Sequence, residues 1–441
     1  MYRIIAFWAC FLAAQAVTQA QLPLSLTDAI NRGLENNFGL AIAELDLENA
    51  ELNNNWATAG RYPRLDLSVD GSLFRSGNPG SFVPGRENVS TGISLNWTIF
   101  DGYRVMATKS RLEILEKQSE GNAAIVVENA VQAIALAYYD LLTQQEQIEV
   151  LQEILNNSRE RLAYEQFRKD LGASGTFELL QFQTNVINDS INLISSQLNI
   201  RNAERTFRLL LQEEDDFAFE LTDEFPDLNR AYEWDDLFQA MSANNQNLRN
   251  QFLNQQLRAQ ESRIARADQY PTIQLNTGGT YAVGRILRRN FDPATVETMP
   301  TIPTNFSAFD YTAGFSLNFT LFDGGNLRRQ LASAHLQEEV VALETQELQQ
   351  NLSVELRNQW DQLSVRQQIW RLQREAVTQT AVNLEVGREQ FQAGLINSLD
   401  YRTILLQYRN AQLAQLQSGY LVLETEWELM RLTGGLIQDW R

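Results

Sequence analysis

Residues 93–102 read ISLNWTIFDG, and residues 315–324 read FSLNFTLFDG. Both segments alternate apolar and polar residues and end in the same Phe-Asp-Gly turn. The similarity extends beyond them, since Arg-Tyr-Pro at 61–63 recurs as Gln-Tyr-Pro at 269–271. A repeated unit of about two hundred residues is much longer than the units of solenoid proteins. The chain therefore contains two copies of one substructure, each with the same order of elements.

Both copies predict a β-hairpin with one apolar and one polar face. Apolar and polar residues alternate over 65–73 and 93–99 in the first copy and over 309–321 in the second, and a loop rich in Gly, Pro, Ser and Asn occupies 75–88. Strands of ordinary domains run about 5–6 residues, whereas a membrane-spanning strand needs about 9–11 residues with this alternation. The pattern favours a sheet that crosses a membrane, and a sheet half-buried on a soluble core is the alternative.

The hairpins supply two sets of candidate residues. The strand residues predicted to face lipid are Ile93, Leu95, Trp97, Phe315, Leu317 and Phe319. The residues predicted to lead each strand into the next helix are Asp101, Gly102, Asp323 and Gly324. At these junctions the aspartates are typical helix N-caps, and the glycines allow a sharp change of backbone direction.

Long coiled-coil helices follow each hairpin. Apolar residues recur at every seventh position, which is typical of coiled-coil packing; in the first copy they are Val127, Ile134, Leu141, Ile148, Leu155 and Leu162. The first long helix is predicted over residues 103–169, a length of roughly 100 Å at about 1.5 Å per residue. The second is predicted over 326–393. Each ends in a glycine-containing turn, after which a long helix returns. Shorter helices precede each hairpin, and the one before the first hairpin is predicted to run from about Leu40 to Gly60.

The N-terminus has the form of a cleaved secretory signal, because a positive start is followed by a short apolar run and a small-residue cleavage site. Cys10, the only cysteine of the chain, lies within it. The mature chain is therefore expected to have no disulfide and no thiolate metal site. The residues before Cys10 do not resemble a lipid-attachment motif, so lipidation is not expected.

The composition excludes several classes of function. The net charge of −19 argues against nucleic acid and anionic lipid as partners. After the signal, no stretch approaches the ~18 consecutive apolar residues of a membrane helix. With one histidine, His335, and no cysteine after the signal, we expect no catalytic site, no metal site and no cofactor.

Four strands per chain are too few for a closed barrel, since single-chain barrels start at about eight strands. Open sheet edges do not occur in hydrocarbon, so several chains have to join. The duplicated strand–turn–helix segments, the heptad hairpins and the turn Ala393-Gly394-Leu395 followed by Asp400 resemble the TolC family of outer-membrane efflux proteins.

This resemblance implies a mainly α fold with a transmembrane β-barrel. It implies a homotrimer in which a twelve-stranded barrel in the outer membrane of a Gram-negative bacterium continues into an α-barrel in the periplasm. The implied function is a passive exit duct of a tripartite efflux pump or type I secretion system. Its partners would be outer-membrane lipid, a periplasmic adaptor (membrane fusion protein) and an inner-membrane transporter of the RND or ABC type. The alternative is a soluble periplasmic coiled-coil scaffold.

The resemblance also implies two sites at the helical turns. Glu178 and Asp400 match carboxylates that narrow the periplasmic aperture, although acids in a first helical turn also stabilise the helix dipole. Thr403 replaces a second acid of the family pattern, and Arg402 is a weak substitute for a missing arginine latch near Ile396. The residues that resemble the adaptor-docking tip are Leu171, Gly172, Ala173, Gly394, Leu395 and Ile396. An ordinary helix–helix turn is the alternative for them.

The expected division of the chain follows the repeat. It runs as signal 1–20, first helices 21–62, first hairpin 63–101, first coiled-coil hairpin 102–213, acidic linker 214–233, second helices 234–270, second hairpin 271–323, second coiled-coil hairpin 324–433 and tail 434–441.

Overall fold

A computed structural model describes residues 22–75, 85–288 and 302–436. The predicted signal with Cys10, and parts of the predicted hairpin loops and of the tail, lie outside these residues. The chain divides into two compact units. Unit 1 comprises Met1–Leu45, Gly121–Arg249 and Glu347–Arg441, and unit 2 comprises Asp46–Glu120 and Asn250–Gln346.

The described residues form eight helices and six strands, in the same order in both copies. The first copy contains β1 (Leu22–Leu24), α1 (Leu26–Glu35), α2 (Phe38–Asn53), β2 (Arg64–Arg75), β3 (Gly85–Asp101), α3 (Arg104–Asp170) and α4 (Thr176–Leu211). The second contains β4 (Phe219–Leu221), α5 (Trp234–Asn244), α6 (Gln246–Ala267), β5 (Thr272–Arg288), β6 (Ile302–Asn318), α7 (Asn326–Gln392) and α8 (Ser398–Leu432).

The two long helices, α3 and α7, each contain 67 residues, close to the lengths predicted. Helix α3 includes an 18-residue window with a mean hydropathy of 1.3, which by length and composition alone would suffice for a membrane span. The same property is found in helices of protein cores. Because α3 buries Val131, Ile134 and Tyr138 in the core of unit 1, we attribute its hydropathy to packing.

Helix α2 ends at Asn53, earlier than the predicted end near Gly60. The side chain of Asn55 donates a hydrogen bond to the carbonyl of Leu52 (2.6 Å) and accepts one from the backbone N–H of Thr58 (2.8 Å). Such local side-chain bonds compete with the helical pattern. The prediction was therefore wrong about where this helix ends, since the chain leaves the helix after Asn53, before Gly60.

The core of unit 1 surrounds a short parallel strand pair, β1 with β4, that the sequence did not predict. Tyr138 of α3 is fully buried beside it. Its hydroxyl donates a hydrogen bond to the carbonyl of Leu24 (3.0 Å) and accepts one from the N–H of Asp223 (3.2 Å). These bonds satisfy buried backbone groups, so Tyr138 attaches the strand pair to the long helix.

Unit 2 contains a four-stranded sheet with the order β2-β3-β5-β6. All neighbouring strands are antiparallel, and β3 pairs with β5 from Gly85↔Leu287 to Asp101↔Thr272. The two predicted hairpins are thus present, and the β3–β5 pairing joins the two copies of the repeat. Strands β2 and β6 each have a neighbour on one side only.

The strand-to-helix junctions use left-handed glycines. Gly102 and Gly324 both have φ of 69°, a conformation that costs little for glycine alone. Asp323 accepts hydrogen bonds from the N–H groups of Gly325, Asn326 and Leu327 at 2.9, 3.0 and 2.6 Å. These bonds, above all the one from Leu327, lower the pKa of the Asp323 carboxyl.

The first junction is capped less completely, since Asp101 accepts one long bond, from Val105 N–H at 3.4 Å. Gly102 is constrained instead by packing, because a Cβ placed on it would lie 2.4 Å from the carbonyl oxygen of Ala267. No atom lies within 4 Å of the corresponding position at Gly324. The two junctions therefore share a backbone conformation but are held by different contacts.

Candidate functional site

The first candidate site is the face of the sheet that carries the apolar residues. Residues opposite each other in a ladder project to the same face. The ladders pair Leu67 with Ile93, Trp97 with Leu275, and Leu275 with Phe315. The alternation therefore stays in register across all four strands. We call the resulting surface the apolar face; from β2 to β6 it includes Leu65, Leu67, Val69, Ile93, Leu95, Trp97, Ile273, Leu275, Phe315 and Leu317.

The apolar face is largely uncovered. The exposed fraction is 53% for Ile93, 79% for Phe315 and 58% for Leu317, while Leu95 is half-buried. Phe319 lies one residue beyond the end of β6, so it flanks the sheet rather than belonging to a strand. An exposed apolar surface of this extent marks a site of contact with another protein or with a membrane.

The opposite face of the sheet is polar. It carries serine, asparagine, threonine and glutamine from all four strands, among them Ser68, Ser94, Asn96, Gln274, Asn276, Thr312 and Ser316. The apolar and polar faces stay cleanly separated over residues 64–70 of β2 and 92–98 of β3. The sheet is therefore amphipathic across its width.

The second candidate site comprises the turns between the long helices, which we call the helical tips. In the first tip Gly172 has φ of 75°, and the N–H of Ala173 donates to the carbonyl of Arg168 at 2.8 Å. In the second, Gly394 has φ of 72° and the N–H of Leu395 donates to Gln390 at 2.9 Å. These are Schellman C-caps, in which a left-handed residue ends the helix. The two copies therefore share the same backbone conformation at this turn.

The tips expose their predicted docking residues. The exposed fraction is 67% for Leu171 and 76% for Leu395, and no atom lies within 4 Å of a Cβ placed on Gly172 or Gly394. Ile396 is half-buried. Two apolar side chains are therefore presented to solvent at positions where the backbone is also open to a neighbour.

Glu178 and Asp400 lie in the first turns of α4 and α8, as the spacing predicts. Asn397 caps α8 by accepting bonds from the N–H groups of Leu399 and Asp400, both at 2.9 Å. The N-cap residue of α4 is Gly175, which has no side chain to cap the helix. Both carboxylates occupy positions that favour the helix dipole.

A buried charge network near the tips was not predicted as such. Arg402 of α8 donates to both carboxylate oxygens of Asp189 of α4, at 2.7 and 2.8 Å, and Asp189 is 2% exposed. Ser158 of α3 donates to the same carboxylate at 2.6 Å, and Arg409 of α8 lies 3.8 Å from it. Arg402 therefore forms a buried ion pair with the return helix of the first hairpin, and its role as a latch stays a prediction.

Two carboxyl groups in unit 1 are buried without full hydrogen bonding. Burial raises the pKa of Glu128 to about 7, against a smaller opposing effect of Arg431. Burial likewise raises the pKa of Glu426 to about 7, and Arg230 opposes it. One oxygen of each carboxyl has no partner. Neither residue stands out in the sequence, because each occupies an ordinary helical position.

Comparison with known proteins identifies the fold. A family model described as "Outer membrane efflux protein" matches residues 29–212 and 237–435. The chain belongs to the outer membrane efflux protein family. This confirms the TolC-like resemblance and the two-repeat architecture. Members of the family are channels and not enzymes, in agreement with the prediction. No curated protein matches this chain.

Three solved structures share the fold of this family member. CusC, a transmembrane channel, is 18% identical with a TM-score of 0.76, and the match covers 95% of each chain. VceC, an outer membrane protein of Vibrio cholerae, is 17% identical with a TM-score of 0.74 over 93% of this chain and 96% of its own. The CmeC outer membrane channel of Campylobacter jejuni is 16% identical with a TM-score of 0.73 over 93% and 85%.

The Asp189 network gives a stability prediction. Asp189→Asn removes the anion that compensates the largely buried guanidinium groups of Arg402 and Arg409, which costs about 3 to 5 kcal/mol. We expect faster hydrogen exchange in α4 and α8 near this site. Glu385→Gln makes the same chemical change in an exposed pair with Arg388, at 3.8 Å, where the cost is at most about 1 kcal/mol. Equal exchange in the two variants would contradict the assignment.

Proposed function

We propose that this family member is the outer-membrane exit duct of a tripartite efflux pump or type I secretion system. It would act as a passive channel that receives substrate through an adaptor and an inner-membrane transporter. The observation that carries the proposal is the amphipathic sheet, with an uncovered apolar face and two unpaired edges. A soluble scaffold would have to cover this face with protein, and within the described residues nothing covers it.

The unpaired edges support a homotrimer. Strands β2 and β6 can each accept one further strand, and three chains with four strands each would close the twelve-stranded barrel that the resemblance implies. Closure pairs every backbone group, as hydrocarbon requires. The polar faces of the three sheets would then line a water-filled pore, and the apolar faces would contact lipid.

Helices α2, α4 and α7 also carry rows of apolar residues that are exposed in one chain. Neighbouring members of a row are three, four or seven residues apart, as in coiled-coil seams. On α2 they are Phe38, Ile42, Leu45 and Leu52; on α4 they are Ile187, Ile191, Ile194 and Leu198; and on α7 they are Leu336, Val340 and Leu343. Pairing of these rows between neighbouring chains would extend the subunit contacts from the sheet along the helices.

The polarity of the sheet gives the first test of the proposal. A lysine on the lipid side of a barrel strand costs about 2–4 kcal/mol near the bilayer midplane, whereas one facing the lumen is tolerated. We therefore expect Leu67→Lys to abolish the heat-modifiable, detergent-extracted trimer and Ser68→Lys, on the other face of the same strand, to leave it intact. A wild-type chain that stays monomeric in buffer without detergent would refute the duct.

The two carboxylates near the tips are proposed to set the cation preference of the aperture. Three chains would place six carboxylates around one axis, where they attract cations. We expect the Glu178→Ala/Asp400→Ala variant to lose cation selectivity in planar-bilayer recordings. The control variant Asp361→Ala/Glu385→Ala removes two carboxylates from α7 instead and should keep the cation selectivity. Unchanged ion selectivity in the first variant would contradict this role.

The exposed leucines of the helical tips are proposed to dock the periplasmic adaptor. Small residues beside Leu171 and Leu395 allow another helical hairpin to approach closely. A photocrosslinker at position 395 should capture a periplasmic adaptor in cells, whereas one at exposed Leu343 of α7 should capture a second copy of this chain. Capture of other copies alone from position 395 would oppose adaptor docking.

A further inference from the structure

A cleft of about 360 Å³ lies in unit 2 between the first turns of α3 and the last turns of α6. Tyr103 and Met106 line it on the α3 side, and Arg263 and Arg266 on the α6 side. Tyr270, three residues after the end of α6, completes the lining. The cleft is thus aromatic and apolar on one wall and basic on the other. None of the residues that line it belongs to a strand or to a helical tip.

The charge of this cleft is opposite to that of the chain. Arg263 and Arg266 are exposed, and no carboxylate belongs to its lining. Within the described residues neither guanidinium group forms an ion pair, and Arg263 donates one long hydrogen bond to Gln260 at 3.4 Å. In a chain with a net charge of −19, two free arginines in one cleft form a local site for an anion.

The cleft continues the apolar face of the sheet. A register shift between Thr98 and Phe100 brings Phe100 opposite Ile273, which lies on the apolar face. The ring of Phe100 packs edge-on against Tyr103 with centroids 5.3 Å apart, and Tyr103 packs edge-on against Tyr270 at 6.3 Å. The aromatic row therefore leads from the lipid-facing residues of the sheet directly to the arginines.

The backbone of Tyr103 is strained. Its φ is 69°, in the left-handed region that disfavours residues with a Cβ. In the second copy the corresponding position, after the same Asp-Gly, is Gly325, with φ of 80°. An aromatic residue thus occupies a position at which the repeat can use glycine. Strain of this kind is retained where the side chain has a role.

The basic wall is also specific to one copy. Alignment of residues 61–63 with 269–271 places Asn55 and Thr58 at the positions of Arg263 and Arg266. Both of these first-copy residues are uncharged. Both walls of the cleft therefore consist of residues that differ from their counterparts in the other copy. The two walls meet beside the paired strands β3 and β5.

We propose that this cleft binds the headgroup of an anionic glycerophospholipid from the leaflet that meets the junction end of the apolar face. The phosphate diester accepts hydrogen bonds from Arg263 and Arg266, a geometry that guanidinium groups suit. Tyr103 and Tyr270 contact the glycerol region, as interfacial aromatic residues do, and Met106 contacts the start of an acyl chain. The inference rests on the proposed function, because it requires the sheet to lie in a membrane.

Native mass spectrometry of the full-length, detergent-purified protein tests the site. The probe is phosphatidylglycerol, with phosphatidylethanolamine as the comparison lipid. In the variant Arg263→Gln/Arg266→Gln we expect the apparent affinity for phosphatidylglycerol to fall about tenfold, since charge-assisted hydrogen bonds are lost. The control variant Arg328→Gln/Arg329→Gln removes the same charge at the other junction. It should change the apparent affinity for phosphatidylglycerol less than about twofold, since those arginines lie outside the cleft.

The variant Tyr103→Gly distinguishes a loss of lipid binding from a loss of folding. It installs the residue of the second copy and relieves the left-handed strain, so the trimer is expected to form while phosphatidylglycerol binding weakens. The lipid site would be overturned if both double-arginine variants lost the same affinity for phosphatidylglycerol, or if the wild-type protein bound phosphatidylethanolamine equally well. Neither result would contradict the proposed duct. The same spectra report the oligomer, and a monomer that needs no detergent would overturn both.

Discussion

Backbone groups at an open sheet edge have no partner in hydrocarbon, and each unsatisfied group costs several kcal/mol. The sheet of this chain ends in two such edges, β2 and β6, while its apolar face is exposed along the strands. In the proposed duct the edges of neighbouring chains pair with each other, and the apolar faces contact lipid. One assembly therefore satisfies the edges and covers the apolar faces. Subunit association is then a condition of the fold. It would also account for the exposed rows on α2, α4 and α7, which would form seams of the same assembly.

The elements that could be predicted from the sequence are those with a sustained period. Alternation over residues 309–321 sorts side chains onto two faces. A slip of one residue would move Phe315 to the polar face, so the register is strongly specified. Heptads over α3 and α7 persist for many turns and cannot be mistaken for another period. The Phe-Asp-Gly segments mark where one period changes to the other, and the structure has its helices beginning directly after them.

The features that could not be predicted lack a period or depend on distant residues. The β1–β4 pair has three residues per strand, too few for an alternating pattern to be recognised in the sequence. The end of α2 is decided by one asparagine side chain that bonds its neighbours. Asp189 and Arg402 lie far apart in the sequence, and only the packing of α4 against α8 brings their charges together. The basic cleft likewise needs two helices from different copies, and a net charge summed over the chain conceals it.

Divergence between the copies underlies the last two of these features, the buried ion pair and the basic cleft. Asp189 and Arg402 have apolar residues, Ala411 and Leu180, at the positions that the repeat pairs with them. One hairpin therefore supplies the anion and the other the cation, an arrangement that would not follow from repeating either hairpin unchanged. In the proposed trimer this difference divides six coiled-coil hairpins into two classes of three. The repeat supplies a common backbone frame of hairpin, junction and long helix, and the side chains that differ within it determine which contacts each half of the chain can make.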